Sequence, residues 1–256
     1  MKNLLFILIA FAAFACQPDK VKLIDLHVHL KGDLTIEDAI KKSEAENIRY
    51  GIAVNCGLGF PVQTDAQVDS FRQYMSQYPQ FYVGMQAEGR EWLHLFSPEA
   101  IAKFDYVFTD AMTFTDVKGR RNRIWIAEET FIDDEEEFME YLVTTAVGII
   151  TTEPIDIYVN PTYLPEQMAD RYDQFWTIER IDRVINAAKE AGVAIEINNR
   201  FKLPSATFIK RAKAAGLKFT MGTNNIDKHF DGSGYTLEMI KTCQLTQDDF
   251  WVPEKK

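Results

Sequence analysis

The sequence contains little cysteine, little histidine and no second long apolar run, and each shortage narrows what the protein can be. Only three cysteines and four histidines occur among its 256 residues. After Cys16, the two remaining cysteines, Cys56 and Cys243, are too few and too far apart to form a disulfide framework. No apolar run beyond Ala15 is long enough to cross a membrane as a helix.

Positive charge is also scarce, because the formal net charge is −10 and the pI is about 5.0. This balance argues against nucleic acid as the main partner and leaves a small-molecule partner as the expectation. No Ser/Gly linker or low-complexity segment divides the chain, so we expect a single domain over residues 17–256. A nucleotide-type glycine fingerprint is missing as well, which disfavours a doubly wound sheet.

Residues 1–16 are predicted to be a removable signal. Lys2 precedes an unbroken apolar stretch from Leu4 to Ala15, which suits the core of a signal peptide and is short for a membrane span. The ending resembles a bacterial lipoprotein signal, although such signals usually have Leu where this chain has Ala13. The resemblance implies a lipid anchor on Cys16 and a place in the cell envelope, on the periplasmic or outer-membrane side. The alternatives are cleavage without a lipid, which implies secretion, and a buried N-terminal helix.

Short apolar runs alternate with longer amphipathic segments along the rest of the chain, a pattern typical of parallel α/β folds. Helices with good start or stop signals are expected over Thr35–Asn47, Asp65–Tyr78, Asp133–Thr144, Thr177–Ala191 and Ser205–Ala215. The seven strand candidates are Val21–Leu30, Tyr50–Cys56, Phe81–Glu88, Tyr106–Phe114, Ile155–Asn160, Val193–Asn198 and Lys218–Asn224. About seven such units favour a closed or nearly closed barrel.

Polar residues at the ends of these strands are the candidates for chemistry, because active sites in such barrels lie where strands end and loops begin. The first strand ends in "LIDLHVHLKG", where His27 and His29 alternate and can share one face. Glu88 follows the third strand, and Asp110 lies in the fourth run. Imidazole with carboxylate is the ligand set of zinc, manganese or iron that activates water, so these four residues are the predicted metal ligands.

Other strand-end residues are candidates for catalysis and for substrate binding. Glu196 or Asp110 is the expected general base. Arg90 and the basic stretch "GRRNRIW", in which we single out Arg121, are candidates for binding phosphate or carboxylate. A surface loop that balances nearby acids is the alternative for that stretch. The amides expected to contact substrate are those of Asn55, Asn160, Asn198 and Asn224.

These motifs, in this order, resemble the PHP family (polymerase and histidinol phosphatase domains), which are metal-dependent phosphoesterases built on a distorted seven-stranded barrel. "DLHVHL" looks like the opening His-x-His motif, and "QAEGRE" is similar to the second motif, whose metal-bridging glutamate corresponds to Glu88. "YVFTD" places Asp110 where the family usually has a histidine, and "YVNPTYLP" places Asn160 in its His-Pro motif. "AIEINNR" is similar to the sixth strand, and "KFTMGTNN" to a closing Gly-Ser-Asp-x-His, with Thr223 and Asn224 in place of Ser and Asp.

The resemblance implies a distorted TIM-like (β/α)7 barrel and a phosphoesterase that acts on a small phosphorylated substrate through a metal-activated water. Neutral amides bind divalent cations poorly, so their presence at ligand positions implies one metal ion rather than three. Two alternatives stay open. One is an amidohydrolase-type enzyme, which also begins with His-x-His but requires two later histidines and a late aspartate at strand ends. The other is a non-catalytic ligand-binding lipoprotein that has lost most metal ligands.

Overall fold

Seven parallel strands close into a barrel in the computed structural model, which describes residues 21–229 and 232–256. The strands are β1 (Ile24–Val28), β2 (Arg49–Cys56), β3 (Tyr82–Ala87), β4 (Tyr106–Thr109), β7 (Ile157–Tyr158), β8 (Ala194–Asn198) and β9 (Phe219–Gly222). They are hydrogen-bonded in this order around the barrel, and β9 pairs again with β1. Each overlaps one of the seven predicted runs, so the predicted α/β barrel of TIM-like form is confirmed. The predicted signal lies outside the described residues.

Helices follow the strands and carry the caps that the sequence predicts. The helices are α1 (Ile36–Glu46), α2 (Asp65–Met75), α3 (Trp92–Leu95), α4 (Pro98–Ile101), α5 (Glu135–Thr152), α6 (Glu166–Ala169), α7 (Tyr172–Phe175), α8 (Ile178–Ala191), α9 (Ala206–Ala214) and α10 (Gly234–Cys243). Thr35 and Asp38 form a capping box at the start of α1, and Thr177 and Ser205 cap α8 and α9. Among these described helices, none has the length and apolar composition that spanning a bilayer requires.

Two predicted boundaries are wrong. The helix expected over Asp133–Thr144 continues to Thr152, because the later turns bury Ala146, Ile149 and Ile150 despite several residues of low helix propensity. The run Tyr106–Phe114 is not one strand, since β4 ends at Thr109. The Asp110 carboxylate accepts a hydrogen bond from the Met112 amide (2.9 Å), which turns the chain out of the barrel.

Beyond that turn, β5 (Thr113–Thr115) pairs antiparallel with β6 (Arg121–Arg123). The basic stretch "GRRNRIW" therefore forms one arm of a hairpin above the barrel wall rather than an irregular loop. Acids of the described chain bind its arginines: Arg120 pairs with Asp116 and Asp133, and Arg123 pairs with Glu129. The surface alternative, in which this stretch balances nearby acids, agrees with these ion pairs.

Aromatic rings and small residues fill the barrel interior together. Tyr106 is fully buried, stacks on Phe108 with 5.8 Å between ring centroids, and donates its hydroxyl to the Leu26 carbonyl (2.7 Å). A Cβ at Gly51 or Gly84 would lie 2.2 Å and 2.4 Å from atoms of the Tyr106 side chain, so glycine on the flanking strands makes room for it. A larger apolar cluster packs the strands against the helices. The carboxyl ends of all seven strands share one rim of this packed barrel.

Candidate active site

The two histidines of β1 lie side by side at that rim. His27 and His29 are 1% and 2% exposed, and their ring centroids are 5.1 Å apart with nearly perpendicular planes. His27 also contacts the ring of Phe108 at 4.6 Å between centroids. As strand geometry predicts for alternate positions, the two imidazoles share one side of β1.

Each imidazole has its Nδ1 engaged and its Nε2 without a partner among the described residues. His29 Nδ1–H donates to the Ala53 carbonyl (2.9 Å), and His27 Nδ1–H donates to Glu196 Oε1 (2.5 Å). Burial lowers the pKa of His29 well below its ordinary value, with further lowering by Lys31 and His27. A neutral ring that donates through Nδ1 keeps a lone pair on Nε2, which is the state in which imidazole binds metals.

Backbone and carboxylate contacts from other strands fix the position of β1. The Asn225 amide pairs in both directions with the His29 backbone, accepting from its N–H (2.7 Å) and donating to its carbonyl (2.9 Å). The Asp25 carboxylate accepts from the Thr223 hydroxyl (2.6 Å) and from the backbone N–H of His27 (3.1 Å). Burial nevertheless raises the pKa of Asp25 to about 6. The side chains of Thr223 and Asn225 thus tie β1 and His29 to the chain after β9, where the barrel closes.

Glu196 is the centre of a buried polar network. Its Oε1 accepts from His27, while its Oε2 accepts from the Asn160 backbone N–H (2.8 Å) and from Asn198 Nδ2 (2.9 Å). Asn160 Oδ1 accepts in turn from Asn198 (2.9 Å) and Asn224 (3.0 Å). The side chain of Glu196 is 1% exposed. It is therefore placed to orient His27 rather than to reach a substrate.

Glu88 and Asp110 are the carboxyl groups that face open space. Asn55 Nδ2 donates to Glu88 Oε1 (2.6 Å), and Asn160 Nδ2 donates to Asp110 Oδ2 (2.7 Å). Burial raises the pKa of Glu88, and the negative charge of Asp110 raises it further. The pKa of Asp110 is also raised by burial, against the hydrogen bonds from Met112 and Asn160. Two such carboxyls hold protons more readily than ordinary surface acids.

A cavity of about 340 Å³ opens at this rim. It is lined by five of the residues that the sequence predicts for the site, namely Asn55, Glu88, Asp110, Asn160 and Asn224. His27, His29, Glu196 and Asn198 are buried outside its lining, and Glu196 and Asn198 hydrogen-bond to the lining residue Asn160. The structure therefore places five of the predicted residues at the cavity and four in the buried layer around it.

The structure does not bring the two predicted anion-binding arginines to the cavity. Arg90 donates to Glu153 Oε1 (2.5 Å), to the Thr109 hydroxyl (2.9 Å) and to the Asp110 carbonyl (3.2 Å). It braces the turn that carries Asp110 instead of lining the open space. Arg121 is half exposed and pairs with Glu91 (2.9 Å) on the hairpin.

Several cavity residues were not singled out from the sequence, and four of them carry charge or an aromatic ring in the loops after the strands. Lys31 and Arg200 follow β1 and β8 by a few residues, and Tyr163 and Phe201 form an aromatic pair with centroids 4.8 Å apart. A single cationic or aromatic residue in a loop forms no recognisable sequence motif. Its position just after a predicted strand is therefore the one sequence feature that could indicate a place at the site. Trp125 is 39% exposed and lines the cavity as well.

The donors suit a metal ion only in part. The unpartnered Nε2 atoms of His27 and His29 are buried nitrogens of the type that bind zinc, manganese or iron. Within residues 21–229 and 232–256, however, no three His, Cys, Asp or Glu side chains are grouped so that they could hold a metal ion. A trinuclear centre is thus unsupported, and two imidazoles are the core of any site.

Comparison with known proteins identifies a fold. No family model matches the chain, and no curated protein matches it. Among solved structures, it is similar to histidinol phosphate phosphatase from Lactococcus lactis subsp. lactis Il1403, complexed with zinc, L-histidinol and phosphate, with a TM-score of 0.63 and 12% identity over 91% of this chain and 95% of that chain. An HpcH/HpaI aldolase from Desulfitobacterium hafniense DCB-2 matches with a TM-score of 0.40 and 10% identity over 88% and 93%. The first likeness shows a PHP-like fold, and the chemistry depends on this chain's own residues.

Proposed function

We propose that this protein is a metal-dependent hydrolase, a phosphoesterase that acts on a small phosphorylated substrate. The observation that carries the proposal is the pair of buried imidazoles at the carboxyl rim, each with Nδ1 bonded to an oxygen and Nε2 unpartnered. Hydrogen bonding of the second ring nitrogen to carboxylate or carbonyl is the arrangement that orients metal-binding histidines. The PHP-like fold, shared with a phosphatase that binds zinc and phosphate, supports the same reading.

His27 and His29 would hold one divalent ion. The other two predicted ligands, Glu88 and Asp110, are not grouped with them into a three-ligand site in the described chain, and we assign these cavity acids to the water and the substrate beside the ion. When bound, such an ion lowers the pKa of a water toward neutrality and polarises a phosphoryl group. Asn55 and Asn160 donate to these two carboxyls and leave their remaining lone pairs for a ligand or a proton.

Asp110 is our choice of general base, because it lines the cavity and because burial raises the pKa of its carboxyl, which makes it a stronger base than an ordinary surface aspartate. Glu196 is a positioning residue in this scheme, because all of its recorded hydrogen bonds go to His27, Asn160 and Asn198. Arg90 holds the backbone of Asp110 and so orients the base.

Metal content and phosphatase activity test the proposal. Protein dialysed against chelator and then titrated with Zn²⁺ or Mn²⁺ is expected to bind about one equivalent with a rise in melting temperature, and to hydrolyse members of a phosphomonoester and phosphodiester panel. His27→Asn and His29→Asn should abolish both effects. The matched control is His94→Asn, since His94 is exposed on α3. A wild-type protein that binds no transition metal, or that hydrolyses only amides, would overturn the phosphoesterase.

A second candidate is a non-catalytic ligand-binding lipoprotein. The absence of a three-residue ligand group among the described residues favours it, as do the amides at the rim. It predicts a cavity that binds its ligand equally well with and without chelator. The metal titration therefore separates the two candidates.

A further inference from the structure

Two cations line the cavity without an acidic partner. Within the described ranges 21–229 and 232–256, Lys31 and Arg200 form no ion pair, whereas most other arginines there do. Lys31 is partly buried. Two positive side chains that line one cavity and form no ion pair in the described chain are suited to hold an anion between them.

Lys31 also lies close to the reacting end of the cavity. Lys31 and Glu88 line the same cavity, as does Asp110. An anion held by Lys31 therefore lies beside the acids assigned above. Lysine and arginine together match the geometry of phosphate, because the ammonium supplies a point charge and the guanidinium a planar fork of donors.

Apart from Gln86 and the amides and carboxyls described above, the remaining wall of the cavity is apolar. Phe60, Pro61, Met112 and Trp125 line it, together with the Tyr163–Phe201 pair. The guanidinium of Arg200 lies over the ring of Phe201 at 4.8 Å, which joins the cationic end to the aromatic wall.

Three of the four amides that line the cavity are already hydrogen-bonded to protein groups, and the fourth, Gln86, has an amide oxygen, Oε1, with no partner among the described residues. Asn55 donates to Glu88, Asn160 donates to Asp110, and Asn224 donates to Asn160. A sugar ring carries several hydroxyl groups that each need a partner in a buried site. The cavity therefore suits a planar apolar group better than a polyol.

We propose that Lys31 and Arg200 bind the phosphate of the substrate and that Trp125, Tyr163 and Phe201 contact an aromatic group attached to it, so that the substrate class is a small aryl phosphate. Calling this ligand a substrate rests on the proposed hydrolase activity. Its binding to the cavity, however, requires no turnover. It can therefore be measured in metal-free protein.

The experiment is calorimetric titration of chelator-dialysed full-length protein with phenyl phosphate, inorganic phosphate and glucose 6-phosphate. Phenyl phosphate is expected to bind at least about tenfold more tightly than the other two, because only it fills the aromatic wall. Lys31→Met and Arg200→Met should each weaken phenyl phosphate by about tenfold or more, as expected for hydrogen bonds to a charged group. Lys228→Met is the matched control, since Lys228 is exposed, follows β9 and pairs with Asp33 (2.8 Å).

Phe201→Leu separates the two halves of the proposal, because it should weaken phenyl phosphate and leave inorganic phosphate unchanged. The proposal is overturned if phenyl phosphate does not bind, if the Lys31 and Arg200 variants bind it like the wild type, or if glucose 6-phosphate binds as tightly. Failure of the hydrolase gives a different result: no turnover with any metal, but intact binding that depends on Lys31 and Arg200. Turnover of aryl phosphates with unchanged KM in both variants would retain the hydrolase and remove this subsite.

Discussion

His27 on β1 and Glu196 on β8 are joined by a hydrogen bond of 2.5 Å, although 169 positions separate them in the chain. The bond fixes which nitrogen of His27 carries the proton and leaves Nε2 as the free lone pair. Because Glu196 is held by Asn160 and Asn198 as well, the imidazole is oriented by two segments, β8 and the residues after β7, that meet β1 only in the closed barrel. The orientation of His27 is therefore a property of the tertiary fold.

The first prediction concerns this pair. Glu196→Gln keeps the size of the side chain and removes its negative charge, so it weakens the acceptor that orients the His27 ring. We expect the affinity for Zn²⁺ or Mn²⁺ to fall by about 10-fold to 100-fold, the usual effect of removing a group that supports a metal ligand. Competition with a chelating dye measures it. Glu190→Gln is the control, because Glu190 is exposed on α8; equal losses in both variants would contradict the positioning role.

The second prediction tests the space around the same pair. A Cβ at position 222 would lie 1.9 Å from Glu196 Oε1 and 2.8 Å from His27 Cβ, so Gly222→Ala must displace one of them. We expect a loss of about 1–3 kcal/mol in the free energy of unfolding, as for other overpacked interiors, together with loss of metal binding. Gly148→Ala on α5 has nothing within 4 Å and should stabilise by about 0.5–1 kcal/mol. Urea unfolding compares the two, and an unaffected Gly222→Ala protein would refute the close packing.

The strands and helices could be predicted from the sequence because the features that favour them are local. Buried parallel strands require β-branched and aromatic residues, and cap residues such as Thr177 and Ser205 act on their own helices. The hairpin was missed for the opposite reason. The apolar run continues from β4 past Asp110 into β5, and only the hydrogen bond to Met112 shows where it turns.

At the site, residue types were predictable and their roles were not. Two histidines on one strand and an acid at the end of another follow from spacing, since carboxyl ends of parallel strands share a rim. Glu196 accepts hydrogen bonds from three groups, on β1, on β8 and just after β7. These contacts form only in the folded barrel, so the order of residues in the sequence does not predict them. The same holds for Arg90, whose acidic partner Glu153 is 63 positions away.

The third prediction concerns Asn160, which stands where the resembling motif has histidine. Asn160→Asp replaces the amide that donates to Asp110 with a second carboxylate, and the left-handed backbone there (φ 46°) tolerates Asp as it does Asn. Without metal, we expect a loss of about 1–3 kcal/mol in the free energy of unfolding, because a buried acceptor loses its donor. Mn²⁺ should recover part of the loss, since it neutralises the two acids.

Asn186→Asp is the control for this change, because Asn186 is exposed on α8. Thermal melting with chelator and with Mn²⁺ measures both variants. If Mn²⁺ shifts the melting temperature of the Asn160 variant no more than that of the control, a cation does not bind next to Asp110.

The fourth prediction is a pH dependence at the base of the β5–β6 hairpin. Hydrogen bonds from Arg120 and then Lys118 lower the pKa of Asp133 from 3.8 to about 2. A depressed pKa contributes stability that is complete above pH 3.8 and is lost as the pH falls toward about 2. The urea midpoint of the wild type should therefore exceed that of Asp133→Asn near neutral pH, and the difference should disappear on acidification through that window.

Asp173→Asn, at an exposed position on α7 without an ion pair in the described chain, should show no such pH-dependent difference. A constant gap between wild type and Asp133→Asn down to about pH 2 would mean that these ion pairs do not hold the hairpin.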